Sequence, residues 1–221
     1  MCSSTLFAGL SPRECEEIAI HAQLRTFRND ELLYMEGQTA HSLALILSGS
    51  VKLSRLGANG NEVILWMAKP GDAIGVLADS LTRSYTCSAR AMEPSTLLVW
   101  EFARLQRFLE EFPRIRVNIG SILSGRLNEL QERFREVATE KVGKRVALAI
   151  LRLAAQIGKP AHGGIEVLLT REELAQMTGT TLFCVSRVLS KWGDEGIVLP
   201  RREAFVVLDA RRLENFSIGE D

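Results

Sequence analysis

Residues Thr170 to Trp192, TREELAQMTGTTLFCVSRVLSKW, leave little freedom in how this part of the chain can fold. Thr170 can cap a helix, and Glu173 three residues later completes a capping box, each side chain answering the other's backbone amide. Leu174 and Ala175 then face inward, and alanine is small enough to let two helices cross closely. Gly179 stands four residues after Ala175, at a turn where positive φ costs glycine little. Val185 and Val188 continue the buried face into a second helix. The spacing predicts a helix-turn-helix. An ordinary helical hairpin would share most of these residues, and the following segment separates the two. Gly196-Ile197-Val198 and Ala204-Phe205-Val206-Val207-Leu208 read as strands around Pro200-Arg201-Arg202-Glu203, a β-wing that a hairpin of unrelated purpose would not need.

The second helix carries Thr180, Thr181, Leu182, Phe183, Ser186 and Arg187 near its N-terminus. A helix end placed in a major groove offers such side chains to base edges. Leu182, Phe183, Ser186 and Arg187 are the candidate base readers: the guanidinium suits guanine through paired hydrogen bonds, and the two apolar side chains suit thymine methyl groups. The alternative for Leu182 and Phe183 is burial against a neighbouring element. Thr170, Arg171, Thr180, Thr181, Lys191, Arg201 and Arg202 are candidate phosphate contacts, which position a protein without specifying sequence.

Formal net charge is zero, with 27 basic and 27 acidic residues, so the global positive charge common among nucleic-acid binders is absent. Cutting at Val137/Ala138 leaves 15 basic and 16 acidic residues before the cut, and 12 and 11 after it. Any DNA-binding charge is therefore local to one face.

From about Leu24 to Trp100, short apolar or β-branched runs (LLYM, SLALILSGSVKLSR, NEVILWM, STLLVW) alternate with glycine turns, including Asn59-Gly60 and Leu47-Ser48-Gly49-Ser50. This predicts an all-β domain. Ahead of it, Ser11-Pro12-Arg13-Glu14 reads as a helix start, for a short helix to about His21. After it, Pro113 introduces a long helix in which Ile119, Leu123, Leu127, Leu130, Phe134 and Val137 recur at spacings of three and four between charged flanks. Such a stripe serves either packing on its own domain or a parallel seam between two chains; the narrow stripe, charged flanks and context favour the seam. A second apolar helix, Val142 to Ile157, ends at Gly158-Lys159-Pro160 with Gly163-Gly164.

The four cysteines, Cys2, Cys15, Cys87 and Cys184, form no CxxC pair and no zinc spacing, so reduced thiols and no metal site are expected. No P-loop, GxGxxG, HExxH or GxSxG occurs, which argues against an enzyme. No run of eighteen apolar residues occurs, and the start, MCSSTLFAGLSP, lacks a basic stretch and apolar core, so a cytoplasmic protein off the membrane is expected.

Three stretches, in order, resemble the catabolite-activator and fumarate-nitrate regulator (CRP/FNR) family over nearly the whole chain. Gly37, Gly49, Gly71 and Gly75 with KPGDAIGVL are similar to the glycine framework of its cyclic-nucleotide-binding roll. ARAMEPSTLLVW resembles the strand pair that closes the roll, and LTREELAQMTGTT with VSRVLSKW and GIV resembles the DNA-binding motif. The resemblance implies an α+β chain with a β-roll sensor at 1–112, a dimerisation helix at 113–137 and a winged helix-turn-helix at 138–221. It further implies a homodimeric transcription regulator on palindromic double-stranded DNA, with RNA polymerase as a possible further partner. Ile119, Leu123, Leu127, Leu130 and Phe134 would form the dimer interface.

The chain departs from the family at the effector. Cyclic-AMP-binding members carry Gly-Glu-Leu where this chain has Gly75-Val76-Leu77, and their phosphate-binding Arg-Ser pair falls on Tyr85-Thr86, with Arg83-Ser84 two residues earlier. Tyrosine supplies no positive charge for a phosphate, so cyclic AMP is not the expected effector. The effector pocket is expected around Gly75, Val76, Leu77, Tyr85, Thr86, Leu123 and Leu127. An iron-sulfur cluster is disfavoured because Cys2 and Cys15 cannot supply four ligands, and haem, to which His21, His41 or His162 would have to bind, is not indicated. The alternatives are a cyclic-nucleotide-binding module without DNA activity, or a haem- or redox-sensing member of the family.

Overall fold

The consecutive apolar residues of Leu43 to Ile46 are buried on both faces of their strand, so this strand must lie inside a layered β structure. The computed structural model describes residues 4–75 and 84–218. A one-turn helix at Thr5–Phe7 and α1 (Pro12–Ala19) lead in. Strands β1 (Gln23–Phe27), β2 (Leu32–Tyr34), β3 (Ser42–Ser48), β4 (Val51–Leu56), β5 (Glu62–Ala68), β6 (Ala73–Gly75), β7 (Ser88–Ala91) and β8 (Ser95–Glu101) follow. They form two four-stranded sheets, β1-β8-β3-β6 and β2-β7-β4-β5. Leu43 faces Gly75 on one side and Trp100 on the other.

Three local choices fix this end of the chain. Ser11 caps α1 through the expected box with Glu14, and its amide and hydroxyl both donate to the carboxylate at 2.7 Å. Gly49 sits at φ +83°, where an added Cβ would lie 2.7 Å from the Ser95 Cα, so only glycine lets β3 turn into β4 against that strand. The Trp100 indole N–H donates to the Ile18 carbonyl at 2.9 Å, which seats α1 on the β8 end of its sheet.

Two helices follow, α2 (Phe102–Glu111) and α3 (Pro113–Thr139). Leu105 and Phe108 of α2 and Ile115 and Ile119 of α3 join Leu6, Phe7, Ile18, Leu43, Leu45 and Trp100 in one core. This corrects one expectation: Ile119 is only 7% exposed and belongs to the roll's own core, not to the face left open for a second chain. Helix α2 carries no start signal in the sequence, since it has no side-chain cap and follows β8 without a turn.

The remaining elements are α4 (Val142–Ile157), β9 (Lys159–Ala161), β10 (Gly164–Val167), α5 (Arg171–Thr178), α6 (Leu182–Asp194), β11 (Val198–Pro200), β12 (Phe205–Val207) and α7 (Ala210–Ile218). The sheet order β11-β12-β10-β9 shows that the segment expected only to end α4 is itself a hairpin that backs the wing, turning at Gly163 with φ +86°. Val146, Ala147, Ile150 and Leu153 form the buried stripe of α4. The chain divides into two compact units, one of residues 1–55 and 68–130, the other of 56–67 and 131–221.

Candidate nucleic-acid interface

Helix α5 begins at Thr170, whose hydroxyl accepts from the Glu173 amide at 3.1 Å while its own N–H and O–H both donate to the Glu173 carboxylate at 3.0 Å. The box therefore occupies both Thr170 donors, and this residue acts as a cap. Leu174 and Ala175 are buried as the spacing required, and the Thr178 hydroxyl donates to the Leu174 carbonyl at 2.7 Å. Gly179 adopts φ 61° and ψ 43°, the left-handed conformation that turns the chain, and Thr180 N–H donates back to the Ala175 carbonyl at 3.2 Å.

Thr181 caps α6 by accepting from the Cys184 amide at 3.3 Å. Val185, Leu189 and Trp192 bury the inner face of α6 at spacings of four and three. Val188, expected on that face, is only partly buried. The same geometry leaves the first two turns open: Leu182 and Arg187 are exposed, Ser186 is half-buried, and Phe183 is 73% exposed. Burial against a neighbouring element, the alternative for Leu182 and Phe183, does not occur among the described residues. Among the described residues Arg187 makes no hydrogen bond or ion pair. Cys184 lies in the first of these turns, and hydrogen bonds from Thr181 and then Thr180 hold its thiol below the ordinary thiol range, against a small opposing effect of burial, with Arg187 adding a weaker pull in the same direction.

The wing is the β11–β12 hairpin, in which Val198 faces Val207 and Pro200 faces Phe205, and Arg201, Arg202 and Glu203 are exposed at its tip. The two arginines differ. Arg201 is ion-paired with Glu166 of β10, whereas Arg202 makes no ion pair among the described residues. Arg171 is half-buried at the start of α5, and Thr180 and Thr181 flank the turn. Lys191, at the far end of α6, lies 4.0 Å from Glu195 and 5.9 Å from the centre of the Phe216 ring.

On α3 the stripe beyond Ile119 is open: Leu123, Leu127, Leu130 and Val137 are exposed, and Phe134 is 76% exposed. Apolar side chains in such a row on one helix are costly in water unless covered.

In the roll, Val76, Leu77 and Arg83 lie outside the described residues. Tyr85 is buried and its ring stacks on Tyr34 at 3.9 Å and 15°. Its hydroxyl lies 3.3 Å from the His41 amide, which donates to it, and 3.2 Å from the Ser42 hydroxyl. Gly75, at φ +92°, passes so close to β3 that a Cβ would meet the Ser42 carbonyl at 2.4 Å. Burial pushes the Tyr34 phenol above its ordinary range. Thr86 is exposed and Cys87 half-buried, where burial pushes its thiol up against the opposing charge of Arg126.

Arg126 is a partly buried cation that the sequence does not single out. It lies on α3 one residue before Leu127, among charged neighbours that read as a solvated flank, yet its guanidinium donates to the Ala73 carbonyl of β6 at 2.6 Å. Burial lowers its pKa, with Asp72 the strongest opposing charge. Among the described residues no group of three His, Cys, Asp or Glu side chains is placed to hold a metal ion, and no helix is long and apolar enough to cross a membrane.

A roll followed by a winged helix-turn-helix with an open reading turn defines a DNA-binding transcription regulator carrying a cyclic-nucleotide-binding domain. Comparison with known proteins agrees: the cyclic nucleotide-binding domain family matches residues 24–112, and the Crp-like helix-turn-helix domain family matches residues 144–216. The chain belongs to the CRP/FNR family of transcription regulators. It is 29% identical over 219 residues to the cyclic AMP receptor protein of Thermus thermophilus, covering 99% of each chain. It is 25% identical to the CRP-like cAMP-activated global transcriptional regulator of Mycobacterium tuberculosis, covering 94% of each. The solved structure of CLP, the c-di-GMP responsive global regulator of Xanthomonas campestris, superposes with a TM-score of 0.78 at 22% identity, covering 89% of this chain and 99% of that one.

Proposed function

We propose that the chain works in the cytoplasm as a homodimer that reads a palindromic site, under control of a signal other than cyclic AMP received in the roll. The observation that carries this reading is the N-terminal part of α6, where Leu182, Phe183 and Arg187 stand free while Val185, Leu189 and Trp192 anchor the helix behind them. Arg187 addresses guanine, Leu182 and Phe183 address thymine methyl groups, and Ser186 lies beside them. Arg171, Thr180, Thr181, Lys191 and Arg202 address phosphates, with Arg201 held in reserve by Glu166. Pairing through Leu123, Leu127, Leu130 and Phe134 would set two α6 helices roughly 34 Å apart, one turn of duplex. RNA polymerase is a further partner on the family resemblance alone. The domains divide at 1–112, 113–137 and 138–221.

The reading against cyclic AMP rests on Tyr85. On the family resemblance it falls on the phosphate-binding arginine, and here its ring stacks on Tyr34 while its hydroxyl is bonded to His41 and Ser42. The effector would meet Gly75, Val76, Leu77, Tyr85, Thr86, Leu123 and Leu127, and Arg126, whose guanidinium donates to the Ala73 carbonyl of β6, supplies a positive charge on α3 between Leu123 and Leu127.

Selection of binding sites by the full-length protein from a random-sequence duplex pool tests the reading. Two-fold symmetric sites are expected, and replacing thymine by deoxyuridine at the position under Phe183 should cost about fourfold in affinity, the worth of one buried methyl group. Phe183→Ala should remove that difference. A pool that yields no enriched sequence overturns the proposal.

A further inference from the structure

One guanidinium on α3 joins three segments. Arg133 donates through Nη2 to the Ile64 carbonyl of β5 at 2.8 Å and to the Met177 carbonyl at the end of α5 at 3.1 Å, and through Nη1 to the Leu65 carbonyl. The three acceptors are backbone atoms, so the contact fixes where two main chains lie and not merely a side chain. Met177 is in the last turn of α5, where carbonyls lack helical partners and carry the negative end of the helix dipole. Leu174 and Ala175 find partners in Thr178, Gly179 and Thr180, and Met177 finds its partner in Arg133. A second contact lies beside the first: a Cβ added at Gly179 would touch the Val137 side chain at 3.6 Å, so α3 also packs on the turn itself. Residues 56–67, which include most of β5, fall in the same compact unit as residues 131–221.

From this we propose that Arg133 is a positioning residue that binds β5, the C-terminal part of α3 and the helix-turn-helix into one rigid body, and so sets the distance between the two reading helices of a paired molecule. The inference rests on the proposed DNA-binding dimer but goes beyond it. The turn held by Met177 and Gly179 leads directly into Thr181 and α6, so its hold on α3 passes to the orientation of Leu182, Phe183 and Arg187. In a dimer paired along α3, each reading helix is then referred to the seam by Arg133. Without it, each helix-turn-helix keeps its own base contacts and loses its fixed reach.

The test uses the full-length wild-type protein, Arg133→Ala and Arg133→Lys, with palindromes selected by the wild type and rebuilt with the half-sites one or two base pairs closer or farther apart. Fluorescence anisotropy should show the wild type favouring one spacing. Arg133→Ala should flatten that preference by about 5- to 150-fold, the usual range for two sites coupled through one element. Its affinity for a duplex with a single half-site should stay unchanged, which a merely destabilised domain would not produce. Lysine can supply one point donor in place of the fork, so Arg133→Lys should lie between the two. An unchanged spacing preference in a folded Arg133→Ala overturns the proposal. Hydrogen exchange on Arg133→Lys decides the matter independently of DNA. Protection should fall together in residues 62–68 and 175–181, and loss in one segment alone overturns the proposal. A wild type that binds no palindrome overturns the DNA-binding reading and leaves the exchange result to judge Arg133.

Discussion

The junction between α3 and α4 should fail asymmetrically when its ion pair is cut. Glu136 of α3 accepts from both terminal nitrogens of Arg152 on α4, at 2.5 and 2.9 Å. Glu136 is 5% exposed, while the Arg152 side chain keeps 29% of its surface in solvent. Removing one partner of a buried pair costs about 3–5 kcal/mol, because the survivor is left charged and dry. Arg152→Ala leaves the nearly inaccessible Glu136 carboxylate behind and should cost that full amount. Glu136→Ala leaves a guanidinium that still reaches water, and should cost about 2–3 kcal/mol, since solvent makes up part of the loss. The double variant Glu136→Ala/Arg152→Ala should be more stable than the sum of its parts by about 2 kcal/mol, within the range seen for residues in direct contact. Urea unfolding followed by circular dichroism, at unchanged m-value, measures each term. Equal costs for the two single variants, or an additive double variant, would refute the reasoning.

Leu127→Asp combined with Phe134→Asp should convert a paired molecule to single chains in sedimentation velocity without loss of helical signal, because both side chains are exposed within the chain and contribute little to its own core; pairing that survives would place the seam elsewhere. Arg187→Ala should cost about 1–3 kcal/mol at one base pair, whereas Arg202→Ala should weaken all sequences alike and reduce the salt slope by about one. Arg201→Ala should do less than Arg202→Ala, since Glu166 already holds Arg201. Cys184 should be alkylated at a lower pH than Cys87, since hydrogen bonds from Thr181 and Thr180 favour its thiolate while burial disfavours that of Cys87; DNA should protect Cys184, and equal pH profiles would contradict the described geometry.

The fold is legible in the sequence where one residue type has one local answer. Ser11 with Glu14, Thr170 with Glu173, and Gly179 in its left-handed turn are caps and turns set by neighbours three or four positions away, and all three form as the spacing implied. The start of α3 at Pro113 and the bounds of α4 followed for the same reason. It is not legible where a partner distant in sequence decides the outcome. Ile119 continues the helical stripe without a break, and only the return of the chain from Leu6 and Trp100 withdraws it from the open face. The β9–β10 hairpin looked like a stop because Gly158, Pro160 and Gly163 suit a loop, yet pairing with β12 makes it sheet. Arg126 and Arg133 resemble any solvated charge on a helix, and nothing near them in sequence reveals the carbonyls of Ala73, Ile64, Leu65 and Met177 that they reach.

The stoichiometry of the complex with a self-selected palindrome goes to the heart of the account. Light scattering at saturating protein should give two chains on one duplex, and halving the palindrome should abolish tight binding rather than halve the occupancy. One chain per duplex, or two that bind with no regard to the spacing of the half-sites, would contradict it.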